Sequence, residues 1–296
     1  MLFIIYLIII VHLIAHGIII VYHSFKYSDL KAQFDGILGL AFPMISRDPG
    51  VNTLIPNLHA QGKLEKSMFA FYLGDNADGE LAVGGYDESK MQGEISWFNL
   101  ARPGYWLVSL GEVKFGDKQI SAGGSGGIMD TGTSLIYGPE SQVQPMAASL
   151  GAQFVPQVGM FMVPCTTQIP DLTINVVDTQ NEKPILTGGK AVTIPGSALT
   201  IKDQTGQYCF LGIAIMRFAG EASNVDTLDA DLKEEVVQEI NHLTGNNPGT
   251  GVSGVIGPVP IGMQGNSWLL GDTMLRQFYS IYDYEQKKFG IADLKK

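Results

Sequence analysis

From about residue 24 to the carboxy terminus, apolar residues gather in short runs, each ended by Gly, Pro, Asn or Asp. This punctuation predicts strands joined by tight turns: β-branched and aromatic residues suit a pleated, half-buried segment, and turns need permissive backbones. "FDGILGLAFP" (34–43) reads as a buried strand that turns at glycine and stops at Pro43. "MFAFYLG" and "GELAVGGYD" read as a hairpin around the turn-rich segment 75–79. "GEISWFNL" and "GYWLVSLGEVKFG" continue the strand pattern, with Ala101-Arg102-Pro103-Gly104 as a candidate linker between two units. Further strands are expected in "MFMVPC", "DLTINV", "AVTIPG", "ALTIKD" and "YCFLGIAI". Two stretches have helical character. One is "SQVQPMAASLGA"; in the other, Leu228, Leu232, Val236, Ile240 and Leu243 share one face, with Asp226 or Asp229 as cap and Gly245 as stop.

The amino terminus differs. "MLFIIYLIIIVHLIAHGIIIVY" runs for 22 residues without a charged side chain, enough as a helix to cross a hydrocarbon layer about 30 Å thick. Residues 1–23 are therefore expected to be a signal or anchor segment, with residues 1–22 as a point of membrane contact. Ala15-His16-Gly17 would suit cleavage, but the basic start of a cleaved signal is missing, which favours an uncleaved segment. Lys26 and Lys31 follow the run and would keep the body in the cytosol by the positive-inside rule. A disulfide between the two cysteines, Cys165 and Cys209, would require the opposite, an oxidising compartment. Two reduced buried thiols are the alternative.

Bulk properties narrow the classes. The 296 residues suffice for one large domain or two modest ones, and 36 glycines with few charges favour a mainly β chain. A formal charge of -10 leaves no Lys/Arg cluster to neutralise phosphates, which argues against a nucleic-acid partner. No Cys-x-x-Cys, His-Glu-x-x-His or EF-hand spacing occurs, so neither metal nor cofactor is expected; His12 and His16 read as polar interruptions of the apolar run.

Chemistry concentrates in "GGIMDTGTSLI" (126–136). The apolar residues before Asp130 anchor a buried strand, Gly132 is expected to allow a turn few side chains tolerate, and the hydroxyls that follow can hold the carboxylate. Alone, such a tripeptide is equally a simple turn.

Six segments in order carry more weight: "FDGILGLAFP", "GELAVGGYD", "GYWLVSL", "IMDTGTSLIYGP", "VPCTTQIPDLTI" and "WLLGDTMLRQFYSIYDYEQKKFGIA". With them the chain resembles the pepsin family of aspartic endopeptidases, including its cathepsin D-like members, over roughly residues 30–296. The resemblance implies a mainly β, bilobal acid-protease fold, with part of the amino-terminal lobe in residues 24–100 and a complete carboxy-terminal lobe in 101–296. It implies hydrolysis of peptide or protein substrates in the cleft between lobes, by a monomer of the secretory pathway, extracellular or endolysosomal, with the membrane segment as a further anchor. Asp130 would be the catalytic carboxylate of the carboxy-terminal lobe, held by Thr133. Gly132, Thr133, Ser134, Tyr105, Ile128 and Leu269 would bind substrate, although ordinary core packing also explains Tyr105, Ile128 and Leu269. Cys165 and Cys209 match the family's carboxy-lobe disulfide, whereas the small disulfide before the catalytic loop is replaced by "SAGGSGG", so that loop should be less constrained. The segment from about Glu221 to Gly265 is longer than the family's usual loop.

In this family each lobe supplies one Asp-Thr/Ser-Gly loop, crossed by an apolar-apolar-Gly segment. Both crossing segments occur, Ile37-Leu38-Gly39 and Leu269-Leu270-Gly271, but Asp-Thr-Gly occurs once. Asp178-Thr179-Gln180, Asp226-Thr227-Leu228 and Asp272-Thr273-Met274 lack the glycine. The partner loop belongs upstream of Phe34, where the hydrophobic run stands, and no flap tyrosine is found; Leu38 and its neighbours should then lack the strands they pack on. The expectation is an aspartic endopeptidase whose 296-residue chain has little activity by itself. Three accounts are open: an incomplete copy of an active enzyme, an inactive membrane-anchored peptide-binding relative, or two copies pairing their Asp130 residues.

Overall fold

The computed structural model describes residues 38–46, 51–74, 79–156, 158–180, 183–185, 189–203, 205–218, 255–256 and 266–295. The apolar run 1–22 and the helix expected after Asp226 lie outside the described residues. Among the described residues, no helix is long and apolar enough to cross a membrane.

Three antiparallel or mixed sheets carry the structure, and most expected strands form. The hairpin Met68–Tyr72 with Glu80–Val83 is present, with Phe69 opposite Val83 and Tyr72 opposite Glu80. It supplies two strands of a five-stranded sheet completed by the carboxy-terminal strands Tyr279–Asp283 and Lys288–Leu294 and then by Met91–Asn99. This sheet thus joins segments on both sides of Ala101–Gly104. Its core is aromatic: the Phe69 ring stacks on Tyr282 with centroids 4.5 Å apart, and Trp106 meets Tyr282 edge-on at 5.1 Å.

After Asn99 the chain passes into the largest sheet. Seven strands lie in line: Lys190–Ile194, Leu172–Val177, Leu107–Phe115, Ser125–Met129, Trp268–Leu270, Ile136–Gly138 and Ile213–Ile215, with Lys118–Ser121 paired to Leu107–Phe115. Leu110, Ile136, Leu172, Ile174 and Leu270 are fully buried in its interior. The helix Glu140–Ser149 packs its Val143, Met146 and Ala147 against this core, as expected from "SQVQPMAASLGA". A four-stranded sheet, in the order Thr200–Lys202, Tyr208–Leu211, Met160–Pro164 and Gln153–Val155, completes the carboxy-terminal region.

Two expectations are corrected. "YCFLGIAI" is two strands rather than one, since Tyr208–Leu211 and Ile213–Ile215 join different sheets and Gly212 separates them. Of the strand expected in "FDGILGLAFP", residues 34–37 lie outside the described residues and Leu38–Phe42 is not in a strand: the Leu40 carbonyl accepts from Trp106 Nε1 at 2.8 Å and Tyr284 Oη at 2.7 Å, and Phe42 N–H donates to the Gly104 carbonyl. Side chains satisfy the backbone that a ladder would otherwise have paired. Exposed apolar surface in this region falls on Met44 and Ile45, 60% and 40% exposed, rather than on Leu38, which is half-buried. Ser125–Gly127 of "SAGGSGG" belongs to the largest sheet. It opens the strand Ser125–Met129, and a Cβ on Gly127 would lie 2.7 Å from Leu270 and 3.0 Å from Leu110, so these glycines serve close strand packing.

Cys165 and Cys209 are disulfide-bonded, with Cα atoms 4.9 Å apart, and tie Met160–Pro164 to Tyr208–Leu211 across 44 positions of sequence. Closing a loop of that length in the unfolded chain predicts that replacing both cysteines by alanine lowers the unfolding free energy by about 4 kcal/mol, to be checked by denaturant titration.

Candidate active site

The Asp130 loop is a hairpin-like excursion between two buried strands. Ser125–Met129 delivers the chain to Asp130, and Ile136–Gly138 carries it away. Between these strands runs Trp268–Leu270, parallel to the first, with Leu270 beside Met129, and antiparallel to the second, with Leu270 opposite Ile136. Beyond Leu270 this segment clasps the loop by its backbone. Asp130 N–H donates to the Leu270 carbonyl (3.1 Å), Gly271 N–H to the Leu135 carbonyl (3.1 Å) and Asp272 N–H to the Thr133 carbonyl (2.7 Å). The Ser134 carbonyl accepts from both Thr273 N–H (3.1 Å) and Thr273 Oγ1 (2.8 Å).

Inside this clasp the carboxylate is itself held. Gly132 N–H donates to Asp130 Oδ1 at 2.9 Å, and Thr133 Oγ1 donates to Oδ2 at 2.7 Å. Each oxygen thus has a donor that fixes its orientation, and the remaining lone pairs face a half-exposed position. The requirement at Gly132 differs from the one expected from sequence. Its φ is not in the left-handed region; a Cβ there would instead make a tight contact, 3.1 Å, with Asp130 Oδ1.

Tyr105, Ile128 and Leu269 come together in one apolar cluster beside the loop, together with Tyr137 and Met160. Ile128 and Leu269 are buried, whereas Tyr105 is half-buried. Burial raises the Tyr105 phenol above its ordinary value, and the Asp130 charge raises it further. Tyr137 is pushed up to about 12 by burial alone. Ser134 is half-buried, and its backbone carbonyl accepts from Thr273 Oγ1.

The other Asp-Thr pairs separate clearly. Asp178 is a backbone clamp, accepting from Asn99 N–H at 2.9 Å, Asn99 Nδ2 at 3.0 Å and Thr179 N–H at 2.8 Å. Asp226 lies outside the described residues. Asp272, read from sequence only as part of the crossing segment, is a buried carboxylate 5% exposed. Its carboxyl is pushed up to about 6, first by burial and further by the Asp130 charge, while Arg276 opposes the shift. The Arg276 guanidinium lies 3.6 Å from Asp272 Oδ2 and donates to the Gly74 carbonyl. The signal in the sequence was the Asp–Arg spacing of four across one helical turn, Asp272–Leu275. Among the described residues, no group of His, Cys, Asp and Glu is arranged to hold a metal ion.

Two predictions follow from this geometry. A Cβ on Gly271 would lie 2.1 Å from the Thr133 carbonyl oxygen and 2.5 Å from that of Leu135, while no described atom lies within 4 Å of one on Gly39. Gly271→Ala should therefore cost about 3 kcal/mol or more, and Gly39→Ala should stay within about 0.5 kcal/mol, as read by thermal or denaturant unfolding. For Asp272, a folded pKa of about 6 lies above the unfolded value of 3.8. Its protonation stabilises the fold below the unfolded value, and this contribution is lost as pH rises through about 6. Relative to wild type, Asp272→Asn should thus gain up to about 3 kcal/mol between pH 3.5 and pH 7, measured as the difference between the two pH–stability profiles.

The family profile described as eukaryotic aspartyl protease matches residues 14–228 and 241–294. The unmatched interval falls in the stretch read from sequence as a lengthened loop. Among curated relatives, cathepsin D of Chionodraco hamatus is 30% identical over 272 residues, covering 90% of this chain and 56% of that protein. Cathepsin E of Oryctolagus cuniculus is 30% identical over 270 residues, covering 89% of this chain and 54% of that protein. Cathepsin D of Homo sapiens is 29% identical over 276 residues, covering 89% and 53%. The chain spans about half the length of the curated relatives it matches. With its mainly β sheets and its clasped Asp-Thr-Gly loop, the chain belongs to the eukaryotic aspartyl protease family and has the pepsin-like acid-protease fold.

Proposed function

We propose that Asp130 is one of two carboxylates of an aspartic endopeptidase, acting on the amide bonds of peptide or protein substrates in the secretory pathway or an endolysosomal compartment. The observation that carries this reading is the double restraint on Asp130: donors on both carboxylate oxygens, within a loop clasped by Leu270–Thr273. A carboxylate so placed can take a proton from water as the water attacks the scissile carbonyl. Tyr105, Ile128 and Leu269 would supply the apolar wall against substrate side chains, and Gly132 to Ser134 the adjoining backbone. The disulfide between Cys165 and Cys209 supports an oxidising compartment.

The reaction also needs an acid to protonate the developing oxyanion. Asp-Thr-Gly occurs once in the 296 residues, and Asp272 is too deeply buried to reach a substrate. The chain by itself should therefore be a poor peptidase, because each half of acid–base catalysis is worth about 10²- to 10⁴-fold.

The test assays the purified chain, wild type and Asp130→Asn, on an extended peptide at pH 3 to 5, alone and co-expressed with the amino-terminal lobe of cathepsin E. The expected result is background hydrolysis for either chain alone and acid-dependent hydrolysis in the co-expressed wild type that Asp130→Asn abolishes. Hydrolysis by the wild-type chain alone, lost in Asp130→Asn, would overturn the need for a second lobe. Co-expressed activity that survives Asp130→Asn would overturn the role of Asp130.

A further inference from the structure

The bonds by which Leu270–Thr273 clasps the Asp130 loop run from backbone to backbone, with one exception among the described residues. Three successive loop carbonyls, those of Thr133, Ser134 and Leu135, accept from the N–H groups of Asp272, Thr273 and Gly271. At Ser134 a side chain joins in: Thr273 Oγ1 donates to the same carbonyl at 2.8 Å, closer than the Thr273 N–H at 3.1 Å. A threonine in a helix ordinarily bonds the backbone of a neighbouring turn or faces solvent. Thr273, in the helix Asp272–Leu275, instead reaches across 139 positions of sequence. It is steadied from behind, where Gln277 Nε2 donates to its carbonyl at 3.2 Å.

The hydroxyl is not needed to satisfy the Ser134 carbonyl, because the Thr273 N–H already does so. What it adds is geometry. A carbonyl oxygen has two lone pairs, and with a donor on each the peptide plane after Ser134 is fixed in tilt as well as in distance. Leu135 is buried, whereas Thr133 and Ser134 are half-buried and Gly132 is exposed. A lone amide donor on an accessible carbonyl is easily exchanged for water, since the net gain of one neutral hydrogen bond is small. Thr133 links that carbonyl to the carboxylate, through its Oγ1 bond to Asp130 Oδ2 at 2.7 Å.

We propose that the Thr273 hydroxyl is a positioning group for the Asp130 carboxylate, acting through Ser134 and Thr133. It touches no reacting atom. Its contribution is to keep the Thr133 hydroxyl aimed at Asp130 Oδ2, and so to hold the plane of the carboxylate in a fixed orientation. The proposal rests on the reading of Asp130 as a catalytic carboxylate.

The test compares wild type, Thr273→Val and Thr273→Ser. Valine keeps the shape and the backbone N–H and removes only the hydroxyl donor, while serine keeps the donor and loses the methyl group. In the full chain by itself, amide hydrogen exchange at Gly132, whose N–H is bonded to Asp130 Oδ1, should be about fivefold faster in Thr273→Val. Thr273→Ser should restore the wild-type rate, and the amides of Ser125–Met129 should keep theirs in both variants. In the chain co-expressed with the amino-terminal lobe of cathepsin E, Thr273→Val should lower kcat about five- to tenfold with KM unchanged, and Thr273→Ser should recover it. The proposal is overturned by wild-type exchange at Gly132 in Thr273→Val, by faster exchange spread equally over Ser125–Met129, or by a change confined to KM. It is also overturned by wild-type kcat in a co-expressed Thr273→Val whose activity Asp130→Asn abolishes. Absence of Asp130-dependent activity in the co-expressed wild type sinks the catalytic reading instead, and exchange at Gly132 alone then supports or overturns the hold on the loop.

Discussion

The geometry of the Asp130 loop depends on a backbone-to-backbone approach at Gly271. The strand Trp268–Leu270 can lie between the two arms of the loop only because residue 271 has no side chain to meet the carbonyls of Thr133 and Leu135. From this approach follow the hydrogen bonds of Gly271, Asp272 and Thr273 to consecutive parts of the loop. Those bonds fix Thr133, and Thr133 in turn orients Asp130. A half-exposed carboxylate would otherwise rotate freely and lose the advantage of a prepaid orientation.

Much of this was readable from the sequence, because it depends on local rules. The hairpin at Met68–Val83 follows from alternation around a turn-rich segment. The restraint of Asp130 by Thr133 follows from the short reach of a threonine three positions on. What was not readable depended on long-range contact. Nothing in "FDGILGLAFP" says that its Leu40 carbonyl will be met by Trp106 and Tyr284, residues 66 and 244 positions away. Nor does "YCFLGIAI" say that its halves part at Gly212, since either half alone is a sound strand. Gly132 shows a subtler limit. The residue was legible as special, but what a side chain there would crowd is Asp130 Oδ1, and the backbone angle makes no demand.

The two apolar-apolar-Gly segments now have different physical settings. Leu269-Leu270-Gly271 is enclosed on both sides by strands, whereas Leu38-Gly39 has half-buried and exposed positions and no described atom close to where a Gly39 side chain would be. Among the described residues, the same local pattern is therefore under steric demand at one site and not at the other. Leu38–Phe42 is instead moored by its carboxy-terminal end, through Leu40 and through the Phe42 ring against Trp106 and Tyr284. Such mooring ties this segment to the same aromatic core that holds the five-stranded sheet together.

Asp272 is close enough to Asp130 for their charges to interact, so the question arises whether it could be the second acid. Its raised pKa has the right sense for a proton donor at mildly acidic pH, and divergent environments are how paired carboxyls divide their roles. Access decides against it. A general acid must come within hydrogen-bond reach of the atom it protonates, and Asp272 is 5% exposed, with its backbone N–H bound beneath Thr133 and its carboxylate facing Arg276. Burial raises its pKa and also keeps it out of reach of any substrate. What it gives the Asp130 loop is positional: its backbone N–H holds the Thr133 carbonyl from behind.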